Sequence, residues 1–197
     1  VDHGITPPSS IASRTVASGG VPLPTAVAAG ILSIGDAHGG AIEKGARFLQ
    51  EGVLRMKKEE KSLEMVATAL VKDSSDQKKR IPGFGHRIHT KDPRTTRLFE
   101  LAEELKIAND HVALSKAIES ALEKSQGKKL PINVDGAIAA IISDMGFDWR
   151  LGKAFFLLGR VAGLTAQVYE EQTEEKPMRE MFTIDYDYTG PGEQDLP

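Results

Sequence analysis

The chain of 197 residues contains no cysteine, which excludes disulfide bonds, thiolate-bound metal ions and a cysteine nucleophile. This composition fits a reducing compartment, so we expect a cytoplasmic protein. The formal net charge of −3 lacks the basic excess that nucleic-acid-binding proteins carry. No apolar run approaches the roughly 20 residues that a membrane-spanning helix needs. Neither nucleic acid nor a membrane is therefore an expected partner, and small anionic ligands are favoured instead.

Alternation of apolar and polar residues, the pattern of a strand, is also lacking. Nearly every long stretch repeats apolar residues at three- and four-residue intervals, which predicts an all-α fold. The serines and aspartate at 74–76 are expected to end a helix, and the acidic segment after 170 is expected to form an extended arm. Helices are predicted over 22–34, 39–56, 62–72, 95–106, 109–122, 137–145 and 148–168.

A glycine-rich turn that carries a histidine follows the basic run at 78–80. Its glycines, Gly83 and Gly85, can adopt positive φ and let a ligand approach the backbone. His86 comes next, and Arg94 can hold a carboxylate through two parallel hydrogen bonds. The segment suits an anionic substrate with an oxygen to protonate or deprotonate, and a plain loop is the alternative.

Three ionisable residues stand beside glycines, each next to an apolar helix: His38, His86 and Asp135. Together they supply a base for a carbon acid, a donor for a developing enolate oxygen, and an acid or base for a second carbonyl or hydroxyl. The alternative for His38 and Asp135 is a structural role at a helix N-terminus, where aspartate is a normal capping residue.

Other classes of site match the sequence less well. We expect no metal, because His86 and His89 alone make a weak pair of ligands. The chain contains no Gly-x-Ser-x-Gly elbow, no Walker-type loop and no dinucleotide fingerprint. The sequence therefore favours proton transfer next to a carbonyl over metal-dependent, serine-hydrolase or nucleotide chemistry.

Several short motifs, in this order and at this spacing, resemble the citrate synthase family over essentially the whole chain. Segments 33–36, 130–136 and 156–160 resemble its lyase branch, which comprises free-standing citryl-CoA lyases and the citryl-CoA lyase module of ATP-citrate lyase. The motifs are Asp2-His3-Gly4, Asp36-Ala37-His38-Gly39-Gly40-Ala41, Pro82-Gly83-Phe84-Gly85-His86, Asp92-Pro93-Arg94, Asn133-Val134-Asp135 and Gly159-Arg160-Val161-Ala162-Gly163.

The resemblance implies a citrate synthase-like fold, in which a large helical domain carries an inserted, smaller helical domain. Residues 1–39 and 148–197 would form the large domain, and residues 40–147 the small one, with the site in the cleft between them. We expect the large domain to be incomplete at its N-terminus, because the family has several helices before this point. A homodimer is also implied, since the family completes its site across subunits.

The family pattern implies a role for each motif residue. His38 would bind the thioester carbonyl of acetyl-CoA and stabilise its enolate. Asp135 would exchange a proton with the acetyl methyl group, and His86 would act at the oxaloacetate carbonyl or the citryl hydroxyl. The substrate carboxylates would be bound by His3, Arg94 and Arg160.

The turn at 81–85 resembles the family's adenine-binding turn, where backbone groups meet the base of coenzyme A. The residues implied in that contact are Ile81, Pro82, Gly83, Phe84 and Gly85. Lysines near the turn are candidates for the CoA phosphates, although a solvated face is the alternative for a lysine run. These candidates are Lys91, Lys128 and Lys129.

Two departures from the family pattern affect the prediction. The step from His86 to Arg94 is one residue shorter than in typical citrate synthases, which favours the lyase branch. Near the C-terminal arm, where synthases contribute an arginine from a partner subunit, this chain has Lys176 and then Arg179. Because a lysine cannot form a bidentate clamp, either Arg179 binds the substrate or that contact is weaker.

The resemblance implies reversible cleavage of citryl-CoA to acetyl-CoA and oxaloacetate, with coenzyme A as part of the substrate and no metal. One alternative is citrate or 2-methylcitrate synthase activity, which differs by hydrolysis of the citryl-CoA thioester. A second alternative is a non-catalytic module that binds CoA or a carboxylate.

Overall fold

The computed structural model describes residues 1–85, 92–127 and 129–179. Within these ranges the chain is helical, without strands beyond isolated bridges, which confirms the all-α prediction. None of the helices described is long and apolar enough to cross a membrane. The elements are α1 (Pro8–Ser18), α2 (Leu23–Leu32), α3 (Ala41–Glu59), α4 (Leu63–Asp76), α5 (Pro93–Glu104), α6 (Asp110–Gln126), α7 (Val134–Asp144), a 3₁₀ turn (Trp149–Leu151) and α8 (Gly152–Glu174).

Helix α1 lies in a segment for which the sequence predicts no helix. Its inward face is polar, because Ser9, Ser10 and Ser13 are all fully buried. Apolar periodicity therefore does not reveal it, although a proline at its first position is a normal helix start. Helix α4 is also longer than predicted: it continues through the serines at 74–75 and ends at Asp76.

Helix α8 continues past Glu170, so the predicted extended arm is wrong for residues 170–174. Arg14 of α1 holds this end of the helix. Its guanidinium donates to Glu170 Oε2 and Glu171 Oε2, both at 2.7 Å. Glu171 is buried, so this ion pair lies in a region of low dielectric constant and joins α1 firmly to α8.

Two separate hydrophobic cores hold the described residues together. The smaller core lies between α1, α2 and α8 and consists of Ala17, Ala26, Val27, Leu164 and Val168. The larger core lies among α3 to α7, and its fully buried members include Ile42, Ala46, Val66, Leu114, Ile118 and Ala140. The chain passes from one core to the other after α2 and returns after α7.

The two helical units meet where α3 crosses the start of α8. A Cβ atom on Gly152 would lie 2.6 Å from the Cα of Glu43, so only glycine permits this approach. Beside this crossing, Asp36 pairs with Lys153 at 3.1 Å and with Lys44 at 3.4 Å. The segment that carries His38 is thereby attached to both units.

Candidate active site

His3 and His38 lie together against the aromatic ring of Phe156. The ring centroids of the two histidines are 5.6 Å apart, and each histidine packs edge-on against Phe156, at 5.6 and 5.4 Å. Phe156 lies on α8, one turn before Arg160. Three of the predicted site residues, His3, His38 and Arg160, are thus gathered at one end of the smaller core.

His38 is fixed by a tight turn and by a buried hydroxyl. Its backbone exchanges two hydrogen bonds with Gly35, of 3.0 and 3.1 Å. Its ring Nε2 forms a 2.8 Å hydrogen bond with Oγ of Ser9, which is fully buried in α1. The helix-capping alternative for His38 is wrong, because its ring bonds to Ser9 and because Gly40 is the N-cap of α3. Ring Nδ1 forms no hydrogen bond with any residue that the structure describes, so it remains available to another partner.

Both histidines of this cluster favour the neutral form. Burial lowers the pKa of His38, and the nearby His3 and Arg160 lower it further. Burial also lowers the pKa of His3, and Arg160 adds to this effect. Near neutral pH His38 is therefore an uncharged imidazole that can donate one hydrogen bond and accept another.

Arg160 is a buried cation whose N–H groups are only partly satisfied by hydrogen bonds to the described residues. The residue is 1% exposed, and it donates to the Val1 carbonyl and, at 3.0 Å, to Ser10 Oγ. Its Nε has no hydrogen-bond partner among the described residues. Since buried donors are nearly always satisfied, this N–H is a candidate contact for an anionic ligand. Burial lowers the pKa of Arg160, although a guanidinium remains charged.

The turn at 81–85 packs its backbone directly on the start of α7. Gly83 has φ +86°, and a Cβ atom on it would lie 2.6 Å from the Cα of Gly136. The Gly83 carbonyl accepts from Asn133 N at 3.0 Å, and the Asn133 side chain donates to the Gly85 carbonyl at 2.9 Å. Glycine is therefore required at both Gly83 and Gly136 for a structural reason, because a side chain at either position would keep the turn and α7 apart.

Asp135 lies in the first turn of α7 without capping it. The Asn133 side chain is the cap, and it accepts from the N–H groups of Asp135 and Gly136, both at 3.1 Å. The capping alternative for Asp135 is therefore wrong, and no described residue donates a hydrogen bond to its carboxylate. Burial raises the pKa of Asp135, while the charge of Arg94 partly opposes this shift. Such a carboxyl group is suited to both giving and taking a proton.

Arg94 lies between the two groups of predicted site residues. Its positive charge acts on Asp135 in the larger unit and on His3 in the smaller one. Its guanidinium forms a fork with the buried Asp92 carboxylate, with Nε to Oδ1 at 2.9 Å and Nη2 to Oδ2 at 2.8 Å. Asp92 belongs to the Asp-Pro-Arg motif, but no role for it was predicted from the sequence.

The predicted adenine-binding turn lines a cavity of about 530 Å³ that includes Ile81, Phe84 and Gly85. Lys79 and Arg80 also line this cavity, and the sequence analysis treats them only as a basic run. Their position at a cavity wall could not be read from composition, because it depends on how α4 ends against the turn. Two cations beside an apolar wall suit a phosphorylated aromatic ligand.

The remaining predicted residues lie elsewhere or outside the described residues. Lys129 lines a different cavity, with Asp92 and Thr95. Arg179 forms an ion pair with Glu171 at 2.9 Å. At a rise of 1.5 Å per residue, Glu171 lies about 16 Å further along α8 than Arg160. A single chain therefore does not bring Arg179 to the site. The predictions for His86, Lys91 and Lys128 fall on residues outside the described ranges.

The sequence and the helical fold both match one protein family. Residues 1–181 match the family model described as citrate synthase, C-terminal domain. The chain belongs to the citrate synthase family. Within this family, its structure is similar to that of a citryl-CoA lyase from Hydrogenobacter thermophilus, at 50% sequence identity and a TM-score of 0.88, over 100% of this chain and 75% of that one. The predicted resemblance to the lyase branch is confirmed.

Relatives with other names within the citrate synthase family are more distant. Citrate synthase 2 of Bacillus subtilis (strain 168) is 31% identical over 165 residues, which cover 81% of this chain and 40% of that protein. ATP-citrate synthase beta chain protein 1 of Oryza sativa subsp. japonica is 30% identical over 149 residues, or 73% of this chain and 23% of that protein. The chain thus spans less than half the length of these curated relatives.

Proposed function

We propose that this chain carries the catalytic site of a citryl-CoA lyase, which cleaves citryl-CoA reversibly to acetyl-CoA and oxaloacetate. The observation that carries the proposal is the 50% identity with a citryl-CoA lyase along the whole chain, against 31% with a citrate synthase. The geometry supports it, because a neutral His38 and a carboxyl group of raised pKa, Asp135, are the groups that enolate chemistry requires.

The reaction divides between three side chains. His86 takes the proton from the tertiary hydroxyl of citryl-CoA, and the carbon–carbon bond to the acyl methylene breaks. The hydroxyl-bearing carbon becomes the carbonyl of oxaloacetate, and the released electron pair forms the enolate of acetyl-CoA. His38 donates a hydrogen bond to the enolate oxygen from Nδ1, in the tautomer in which Nε2 accepts from the Ser9 hydroxyl. Asp135, in its acid form, gives its proton to the methylene carbon, which completes acetyl-CoA.

The substrate carboxylates are bound by cations already in place. Arg160, whose charge acts on His3, offers its Nε–H, and Arg94 supplies a second positive charge from the other unit. The adenosine end of CoA lies in the cavity at the 81–85 turn, where Lys79 and Arg80 face its phosphates. The division into two domains, 1–39 with 148–197 and 40–147, is part of the proposal, with the substrate between them; the two separate cores among the described residues support it.

The protein acts as a homodimer through an apolar face of α2 and α8. Leu32 is 85% exposed and Leu158 71% exposed, and the groove between these helices is lined almost wholly by apolar side chains. An exposed apolar surface of this kind is typical of a protein–protein interface. The partner subunit would also bring its C-terminal segment, and Arg179 with it, towards the site. A cytoplasmic location remains part of the proposal.

The test is release of oxaloacetate from citryl-CoA by the purified protein, followed as NADH oxidation with malate dehydrogenase. Wild type should cleave citryl-CoA, and Asp135→Ala should lose at least ~100-fold in kcat, the usual range for removing an acid–base group. Arg160→Ala should weaken the binding of citryl-CoA more than the binding of free CoA. Cleavage that is unchanged by Asp135→Ala would rule out the assigned mechanism.

Citrate synthase activity is the second candidate, favoured by the relatives named citrate synthase. It requires the thioester of citryl-CoA to be hydrolysed. Free citrate formed from acetyl-CoA and oxaloacetate, without an added thioesterase, would establish this activity. Binding of CoA by calorimetry without turnover in either assay would instead indicate a non-catalytic binding module.

A further inference from the structure

The tripeptide pattern Asp-x-Arg occurs twice in the chain, and both copies adopt the same local geometry. At Asp92, Arg94 N and Nε donate to Oδ1 at 3.0 and 2.9 Å, and Nη2 donates to Oδ2 at 2.8 Å. At Asp148, the corresponding bonds from Arg150 measure 2.9, 2.8 and 2.7 Å. Each aspartate also caps the helical turn that it precedes. The fold thus contains one arrangement in two surroundings.

The surroundings differ in what else the aspartate contacts. The Asp148 side chain is 44% exposed, and among the described residues its partner is Arg150. The Asp92 side chain is 0% exposed and accepts a further hydrogen bond, at 3.1 Å, from the backbone N–H of Val134. Val134 is the first residue of α7 and directly precedes Asp135. Only the Asp92 copy therefore connects its arginine to a second helix.

We propose that Asp92 is a positioning residue, which holds the Arg94 guanidinium and the backbone beside Asp135 at a fixed separation. One carboxylate oxygen binds the arginine alone, and the other binds both the arginine and the start of α7. The inference rests on the proposed lyase function, because it matters only where Asp135 transfers a proton. A displacement of about 1 Å at such a group can cost about 100-fold in rate.

Asp92 also sets the charge that Asp135 experiences. Among the described residues, the charged groups that act on Asp135 are Arg94, which lowers its pKa, and Asp92, which raises it. Because the two are paired, Asp135 faces an ion pair instead of a single positive charge. Removal of the Asp92 charge should therefore lower the pKa of Asp135.

The bond between Asp92 and α7 can be removed by one substitution that spares the fork. Val134→Pro deletes the donating N–H at the first position of α7, where proline is well tolerated. The preceding Asn133 has ψ 176°, which a following proline permits. We expect kcat for citryl-CoA cleavage to fall about tenfold, because Asp135 would be displaced by less than the 1 Å that costs about 100-fold. KM and the melting temperature should be nearly unchanged.

The control is Asp148→Asn, which breaks the corresponding fork at the second copy, where the aspartate has no bond to α7, and which should leave kcat and KM as in wild type. A Val134→Pro enzyme with the kcat of the Asp148→Asn enzyme would overturn the inference. An active wild type with unaffected variants overturns this inference alone, whereas an inactive wild type overturns the proposed function and this inference together.

The charge effect is tested by Asp92→Asn and Asp92→Glu. In the cleavage direction Asp135 must start as the acid, so a lower pKa moves the alkaline limb of the kcat–pH profile to lower pH. We expect this shift in Asp92→Asn and its absence in Asp92→Glu, which keeps the charge. A loss of kcat in Asp92→Asn that is uniform across pH would show a purely structural role and overturn the assignment.

Discussion

Ser9 and His38 are joined by a 2.8 Å hydrogen bond between the serine hydroxyl and Nε2 of the ring. The two residues are 29 positions apart in sequence, and the bond connects a fully buried position of α1 with the turn before α3. When the hydroxyl donates, Nε2 carries no proton and Nδ1 must carry it. In that arrangement the ring can donate from Nδ1 to an enolate oxygen.

Replacement of this serine should affect catalysis more than folding. Ser9→Ala frees the ring of His38 to rotate and to change tautomer, and we expect kcat to fall by roughly tenfold to 100-fold. The loss of one buried hydroxyl should cost only about 1 kcal/mol of unfolding free energy. Steady-state kinetics and urea denaturation measure the two effects.

Ser13→Ala is the matched control, because Ser13 is equally buried on the same helix and its hydroxyl donates to the Ser10 carbonyl, without a contact to His38. It should show the same small change in stability and an unchanged kcat. Equal kcat values in the two variants would mean that the Ser9 hydroxyl does not act on the histidine.

The fold class and the motif residues of the site could be predicted from the sequence, because apolar periodicity and motif order are local properties. Long-range polar contacts could not. The N-terminus of α6 is capped by Asp144, whose carboxylate accepts from the N–H groups of Asn109, His111 and Val112 at 2.7 to 3.0 Å. The cap comes from the end of α7, more than 30 residues away, whereas the sequence offers only the adjacent Asn109 or Asp110 as a cap.

The same limit applies within the site. In the Asn133-Val134-Asp135 motif, either polar residue could cap α7 by composition alone, and only the path of the 81–85 turn selects Asn133. The ion pair between Arg179 and Glu171 could not be predicted either, because it depends on the continuation of α8 to Glu174. Sequence patterns identify which residue types form a site, whereas packing decides which of those side chains are already bonded to other residues.

The pKa values of the histidines predict how stability depends on pH. His3 and His38 both have folded-state pKa values below their ordinary 6.5, so the unfolded chain binds more protons below that pH. Stability is fully present above about pH 6.5 and falls as the pH drops through the lowered folded-state values. Urea denaturation midpoints at about pH 7.5 and pH 5.5 measure the loss.

A variant with both histidines replaced by glutamine, His3→Gln with His38→Gln, should lose less stability over that interval than wild type. Glutamine keeps polar side chains at both positions without a titrating group, so the comparison isolates the two histidines. An identical loss in wild type and in the double variant would assign the pH dependence to other groups.

The cavity at the 81–85 turn predicts which lysine meets coenzyme A. Lys79 lines this cavity, whereas Lys129 lines the other one, beside Asp92. We expect Lys79→Ala to raise the Kd for CoA about tenfold, the equivalent of roughly 1.4 kcal/mol for a lost phosphate contact. Titration calorimetry with CoA measures the change, and dephospho-CoA shows whether the contact is with the 3′-phosphate.

Lys129→Ala serves as the comparison and should leave the Kd within about twofold, a change of under 0.5 kcal/mol. The sequence-based prediction names Lys91, Lys128 and Lys129 for the CoA phosphates, and Lys129 is the one of these within the described residues. The two variants therefore compare that prediction with the cavity. A large effect of Lys129→Ala with none of Lys79→Ala would favour the sequence-based one.

The exposed face of α2 and α8 predicts the last outcome, a dimer that depends on Leu32. A glutamate there would place a charge at the centre of an apolar surface, and a charge buried without a partner is strongly destabilising to an interface. Leu32→Glu should therefore sediment as a monomer at concentrations where wild type is a dimer. Leu105→Glu is the control, since Leu105 is 66% exposed at the end of α5, in the other helical unit, and should leave the dimer intact.

Because the proposed site takes a contact from the partner subunit, the Leu32→Glu monomer should also lose citryl-CoA cleavage. A monomer with full activity would show that one chain completes the site, and a dimer that persists in Leu32→Glu would place the interface on another surface.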